Sequence, residues 1–165
     1  MVVGELMPLY EKQMKDADDA LTKSPEVFIK DLVAIFGQEM GDQKNVTEVA
    51  TTEATMDTPV PWLNGRRGAG FEVEIKEPGI YVFAGSSLDK RIVQASIYEV
   101  QPDGSVTHID DGVGLTPHSF VVSQRQSAGK IFVLLADMSA ADPSKDTSPP
   151  GKVKIWVYRG VPAGH

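Results

Sequence analysis

Apolar residues recur every third or fourth position along the first part of the chain and every second position along the rest, with the change near Thr58. Leu6, Leu9, Tyr10, Met14, Ala17, Ala20 and Leu21 share one helical face, with Glu11, Lys12, Lys15, Asp16, Asp18 and Asp19 between them. This spacing predicts an amphipathic helix of about four turns. Pro8 falls in its first turn, where a missing N–H costs little, and Lys23 suits the negative end of the helix dipole. Ser24-Pro25-Glu26 then supplies a cap, a preset φ and an acid for the positive end of a second helix. Its apolar residues are Val27, Phe28, Leu32, Val33, Ile35, Phe36 and Met40, and Gly41 ends it. Together the two predict a helical hairpin over residues 1–42.

Residues 43–61 show no sustained period and read as a linker, stiffened at its end by Pro59-Val60-Pro61-Trp62. From there the period is two. Strands are predicted at 71–75, 80–84, 93–100, 106–109, 120–123, 131–136 and 153–158, separated by Pro78-Gly79, Pro102-Asp103-Gly104 and Asp110-Asp111-Gly112 turns. No helical period lies between them, which disfavours a parallel βαβ arrangement. The expected class is α+β: a helical hairpin, then an antiparallel β-sandwich of jelly-roll type over residues 62–165. The polar stretch 138–151, with three prolines, is either a functional loop or a plain surface insertion.

Charge sharpens this division. Residues 1–60 hold 12 acids and 5 bases, whereas residues 61–165 hold 11 of each, so the leader carries the whole net charge of −7. An acidic chain repels phosphate backbones and anionic lipid, which argues against nucleic acid and membrane partners. The chain has no cysteine, which removes disulfides and thiolate chemistry. Its start, Met1-Val2-Val3-Gly4-Glu5, lacks the basic and apolar regions of a signal peptide. The expected setting is a virion or an extracellular or cell surface.

The succession Gly79-Ile80-Tyr81-Val82-Phe83, Ser96-Ile97-Tyr98-Glu99, Asp103-Gly104, Asp110-Asp111-Gly112, Ala128-Gly129-Lys130-Ile131-Phe132-Val133 and Gly151-Lys152-Val153-Lys154-Ile155 resembles the bacterial pre-peptidase C-terminal domain over residues 70–158. The resemblance implies a compact, non-catalytic β-sandwich appended to secreted enzymes, in some members binding calcium or a polymeric substrate. This chain departs from that pattern in its long late loop, and the 165 residues themselves include no protease segment.

Candidate chemistry is sparse. Asp103, Asp110 and Asp111 put carboxylates in neighbouring turns, as calcium would require, with Asp89 a fourth ligand if its loop comes near; Asp-Gly is also ordinary turn chemistry. No cofactor other than calcium is implied. His108 and Asp110 share a strand face, and His118 lies beside Ser119, but no nucleophile elbow accompanies them. Arg66 and Arg67, in a glycine-rich segment, could pair with the acidic leader of this chain or a neighbour. Trp62, Tyr81, Tyr98, Trp156 and Tyr158 form either a sugar platform or two buried faces.

These readings favour a non-enzymatic structural or assembly protein. Its helical part would either pack on the β-domain or on itself, or, through Leu6, Tyr10, Met14, Phe28, Leu32 and Phe36, dock into a protein partner, a homo-oligomer or a larger complex such as a virion or surface assembly, with Arg66 and Arg67 assisting. The alternative is a secreted accessory module that binds glycan or protein, with calcium as its candidate stabiliser.

Overall fold

The computed structural model describes residues 23–41, 45–140 and 142–162. Helix α1 (Pro25–Glu39) starts as its cap predicts: the Ser24 hydroxyl accepts the Val27 N–H at 3.2 Å, and Pro25 occupies the first turn. It ends at Gly41, whose φ of 85° is costly for residues with a side chain. The predicted hairpin is not seen: α1 is the one α-helix among the described residues, and the earlier helical stretch, with Leu6, Tyr10 and Met14, lies outside them. No helix among the described residues is long and apolar enough to cross a membrane.

Nine antiparallel strands follow among the described residues: β1 (Val46–Thr55), β2 (Thr58–Pro59), β3 (Arg67–Ile75), β4 (Gly79–Ser87), β5 (Val93–Val100), β6 (Val106–Asp111), β7 (His118–Arg125), β8 (Gly129–Asp137) and β9 (Lys152–Gly160). They form two sheets, ordered β1-β9-β4-β7 and β2-β3-β8-β5-β6. Only β2–β3 and β5–β6 are sequence neighbours within a sheet. Every other connection crosses between the sheets, the winding of a jelly roll.

Between the sheets lies the main core. Tyr81, Phe83, Val121, Val153, Ile155 and Val157 come from the four-stranded sheet, and Val73, Ile75, Val93, Ile97, Val133 and Leu135 from the five-stranded one. These are the inward positions of the period-two pattern. In β4 the apolar run is unbroken from Ile80 to Ala84, because both of its faces are covered. Tyr81 and Phe83 face the core, while Ile80, Val82 and Ala84 face α1.

Phe28, Leu32, Phe36 and Met40 are spaced by four, so they line one side of α1. They pack on Ile80, Val82, Ala84, Phe120 and Val122. Burying each large side chain contributes roughly 1.5–3 kcal/mol before ordering costs. Gly160 lets the helix come close: a Cβ there would lie 2.6 Å from Met40 Cγ and 2.8 Å from Phe36 Cζ. Phe28, Leu32 and Phe36, expected to engage a partner, are therefore 7%, 5% and 1% exposed against their own sheet. The apolar stripe is shielded from within.

The expected linker also folds. Residues 46–55 form an edge strand paired with β9, bulged between Glu48 and Ala50. Its inward side chains are small, Ala50 and Ala54, alternating with threonine and glutamate. Such a strand buries little of its own surface and leaves almost no hydrophobic period to read.

Candidate binding face

The two outer faces of the sandwich differ. Helix α1 covers the four-stranded sheet. On the five-stranded sheet the outer positions are partly aromatic, unlike the polar face expected of a sheet turned to solvent. Register places Glu72 opposite Phe132, Phe132 opposite Tyr98, and Tyr98 opposite His108, one row across β3, β8, β5 and β6. The next row runs Gly70, Leu134, Ser96, Asp111. The Tyr98 ring lies 6.1 Å from Phe132 and 5.4 Å from His108, both tilted. Gly70 makes room for Phe132: a Cβ there would sit 2.3 Å from the ring carbon Cζ.

Over this row folds a 3₁₀ turn, Pro61–Leu63, in the connection from β2 to β3. Four backbone hydrogen bonds close it: Val60 N to Arg66 O, Leu63 N and Gly65 N to Val60 O, and Arg66 N to Leu63 O. Asn64 and Gly65 take left-handed φ values of 56° and 78°, Gly65 being the residue that does so freely. Val60 anchors the turn in a small cluster with Tyr98, Leu134, Leu63 and Phe132. As a result Trp62 stands 56% exposed yet held. Its indole N–H donates to the Tyr98 hydroxyl at 2.9 Å, and the two rings meet edge-on at 5.7 Å.

Polar groups bound the strip. Asp111 Oδ1 accepts from Ser96 Oγ at 2.6 Å and lies 2.9 Å from His108 Nε2. At the other end Glu72 pairs with Lys130 at 3.4 Å.

The long loop 138–151 is braced by three arginines. Arg66 donates to the Ala140 carbonyl at 2.6 Å. Arg67 donates to Asp146 at 3.0 Å and to the Ser148 carbonyl at 2.9 Å. Arg91 reaches Asp137 at 2.9 Å, Ser148 Oγ at 3.1 Å and the Pro149 carbonyl, with Asp89 at 3.7 Å. Both Arg66 and Arg67 spend donors on this loop; residues 1–22 of the acidic leader with which they were expected to pair lie outside the described residues. The Ser148 hydroxyl and N–H hold the Asp146 carboxyl below its ordinary value, with Arg67 and Arg91 adding to the effect.

The carboxylates expected to share calcium are not brought together. Asp103 caps the β5–β6 turn by accepting from Ser105, which lowers its pKa, whereas Asp110 and Asp111 lie at the far end of β6. Among the described residues no group of three or more His, Asp or Glu side chains is placed to hold a metal.

The two inner histidines also part. His108 belongs to the outer face. His118 is 1% exposed, with Nδ1 2.8 Å from Ser86 Oγ, Nε2 2.9 Å from the Lys23 carbonyl, and its ring stacked on Phe28 at 4.7 Å. Since a carbonyl only accepts, Nε2 carries a proton. Ser86 is itself fully buried. The serine–histidine pair therefore fastens α1 to the sheet.

Of the remaining aromatics, Tyr81 sits in the core at the base of a groove of about 480 Å³ between β1 and β3. Its hydroxyl donates to the Glu77 carbonyl, and burial raises its pKa. Trp156, buried beneath Lys154, and Tyr158 lie on the α1 side of the molecule. Only Trp62 and Tyr98 of the five expected aromatics meet. Phe132 and His108 join them through register alone; the sequence offers no signal for that meeting.

The fold is similar to that of a pre-peptidase C-terminal domain. The comparison is with the domain from a collagenase of Bacillus anthracis, at a TM-score of 0.44 and 8% identity over 66% of this chain and 87% of that one. The Yersinia pseudotuberculosis-derived mitogen aligns at 0.42 and 9% identity, over 73% and 89% of the two chains. A periplasmic inhibitor of g-type lysozyme from Aeromonas hydrophila aligns at 0.39 and 10%, over 68% and 86%. No family model matches the sequence, and no curated protein matches it.

Proposed function

We propose that this protein is a non-catalytic binding module that presents the outer face of its five-stranded sheet to a ligand. The observation that carries this reading is Trp62, a large aromatic side chain left mostly in water yet fixed in orientation by Tyr98. Aromatic anchors of this kind dominate recognition because they bring large contact area and few rotamers to lose. The burial of the Ser86–His118 pair supports a binding role over catalysis. So does the bracing of loop 138–151, which makes a rigid frame rather than a lid.

The test is a binding screen over immobilised polysaccharides and fibrous proteins, run with the wild type and with Trp62→Ala. Ligand retained by the wild type and lost by the variant supports the reading. Indistinguishable retention of every ligand by both proteins overturns it.

A second reading, self-association, draws on the other side of α1. Val27 is 47% exposed there, and Ile29, Val33, Ala34 and Tyr158 line a shallow groove of about 300 Å³. Sedimentation velocity decides it: a dimer that Val27→Asp dissociates supports this reading, and a monomer at all concentrations removes it.

A further inference from the structure

We infer that the ligand of the Trp62 face is a neutral saccharide, stacked by a pyranose ring on the indole and held at its edges by the polar ends of the strip. The inference rests on the binding-module reading above and names its ligand class.

Size is the first argument. The exposed aromatic surface is essentially one indole, since Tyr98 is only 6% exposed and Phe132 is half-buried. Covering one aromatic side chain removes roughly 150–250 Å² from water. A stable protein interface buries about 800 Å² on each partner. The face is thus too small an anchor for a protein and well matched to a ring-sized ligand. The row from Glu72 to His108 crosses four strands, about 14 Å at the usual spacing between strands, the reach of a short oligosaccharide.

Charge is the second. Glu72 at one end is balanced by Lys130, and Asp111 at the other faces His108. Aromatic platforms for single-stranded nucleic acid sit in positively charged grooves that track the phosphates. Here carboxylates flank the rings, and Arg66 and Arg67 are turned to loop 138–151. A phosphate-bearing ligand is therefore opposed, and an uncharged ring with an apolar C–H face is not.

Fixed polar groups are the third. Asp111 and His108 are each about half exposed, and the carboxylate is held by Ser96. Positioned, solvent-facing acceptors and donors beside an apolar ring are what orient a ligand dense in hydroxyls.

The experiment titrates the full chain with cellohexaose, xylohexaose, mannohexaose and chitohexaose, with oligo-dT as the charged competitor. The readouts are the Trp62 indole N–H resonance and acrylamide quenching. Trp156, 5% exposed, serves as the internal reference. One sugar series is expected to shift the Trp62 resonance and shield it from quenching. Trp62→Ala weakens that sugar by at least about tenfold, as loss of a central aromatic anchor does, while Trp62→Phe keeps part of the affinity and controls for folding. Shielding by oligo-dT alone overturns the inference in favour of a nucleobase ligand. Should no sugar touch Trp62 while a fibrous protein binds in a Trp62-dependent way, the saccharide is wrong and the module stands. If no ligand depends on Trp62, both fall.

Discussion

Replacing Asp137 by asparagine removes one negative charge from the place where loop 138–151 leaves β8. The Asp137 side chain is 3% exposed, its Oδ2 accepts from Arg91 at 2.9 Å, and its Oδ1 accepts the Ser139 N–H at 2.9 Å. Removing one partner of a buried ion pair costs about 3–5 kcal/mol, because the other charge stays desolvated. Arg91 would keep Ser148, Pro149 and the looser Asp89, so Asp137→Asn should cost about 2 kcal/mol, below that range. Asp137→Ala also orphans the Ser139 N–H, for about 1 kcal/mol more. A chain of this size loses about 2–4 °C of Tm per kcal/mol, so the alanine variant should melt roughly 6–12 °C lower. Calorimetry and urea unfolding measure the cost, and amide exchange over 138–151 locates it. A double-mutant cycle with Arg91→Met isolates the pair, since replacing both charges by apolar groups is often close to neutral. If Asp137→Asn stays within about 0.5 kcal/mol of wild type, the scale of an ordinary surface change, or if the two substitutions are simply additive, the arginine brace is not what fixes the loop.

Phe36→Ala should cost up to about 3–5 kcal/mol, the usual toll for a buried phenylalanine. Undocking of α1 can cap that cost, and faster amide exchange confined to α1 would show it. Gly70→Ala should push the Phe132 ring outward. The change should lower stability by only about 1 kcal/mol, the mild end of overpacking for a ring free to tip into solvent, yet weaken Trp62-face binding several-fold in the titration above. The Asp146 carboxyl titrates below its ordinary value of 3.8 when folded. Its contribution is therefore complete above that value and is lost as pH falls through the folded pKa. Exchange protection of loop 138–151 should be level from neutral pH to about 5 and fall below about 4, with Asp146→Asn flattening the fall.

Much of the architecture is legible in the sequence, because a buried face imposes its period locally. The cap of α1 can be read from Ser24-Pro25-Glu26, and most of the strands from their alternation and from turns such as Pro102-Asp103-Gly104. Strand β1 is not legible, since alanine is the only apolar side chain that it packs against the core between the sheets. The destination of the apolar stripe on α1 is not legible either. A row of large side chains spaced by four says that something covers it; only the second apolar face of β4, and the room above Gly160, decide that the cover is this chain's own sheet.

The candidate face shows the same division more sharply. Asp103 and Asp110 are only seven positions apart yet are separated by the length of β6, one in the turn before it and one near its far end, while Trp62 and Tyr98, 36 positions apart, share a hydrogen bond. Arg67 and Asp146 meet across 79 positions. Local pattern determines which residues form a strand and which side each one faces, because both depend only on backbone period. Cross-strand register determines which side chains meet, and register belongs to the closed pair of sheets, not to any segment of the chain.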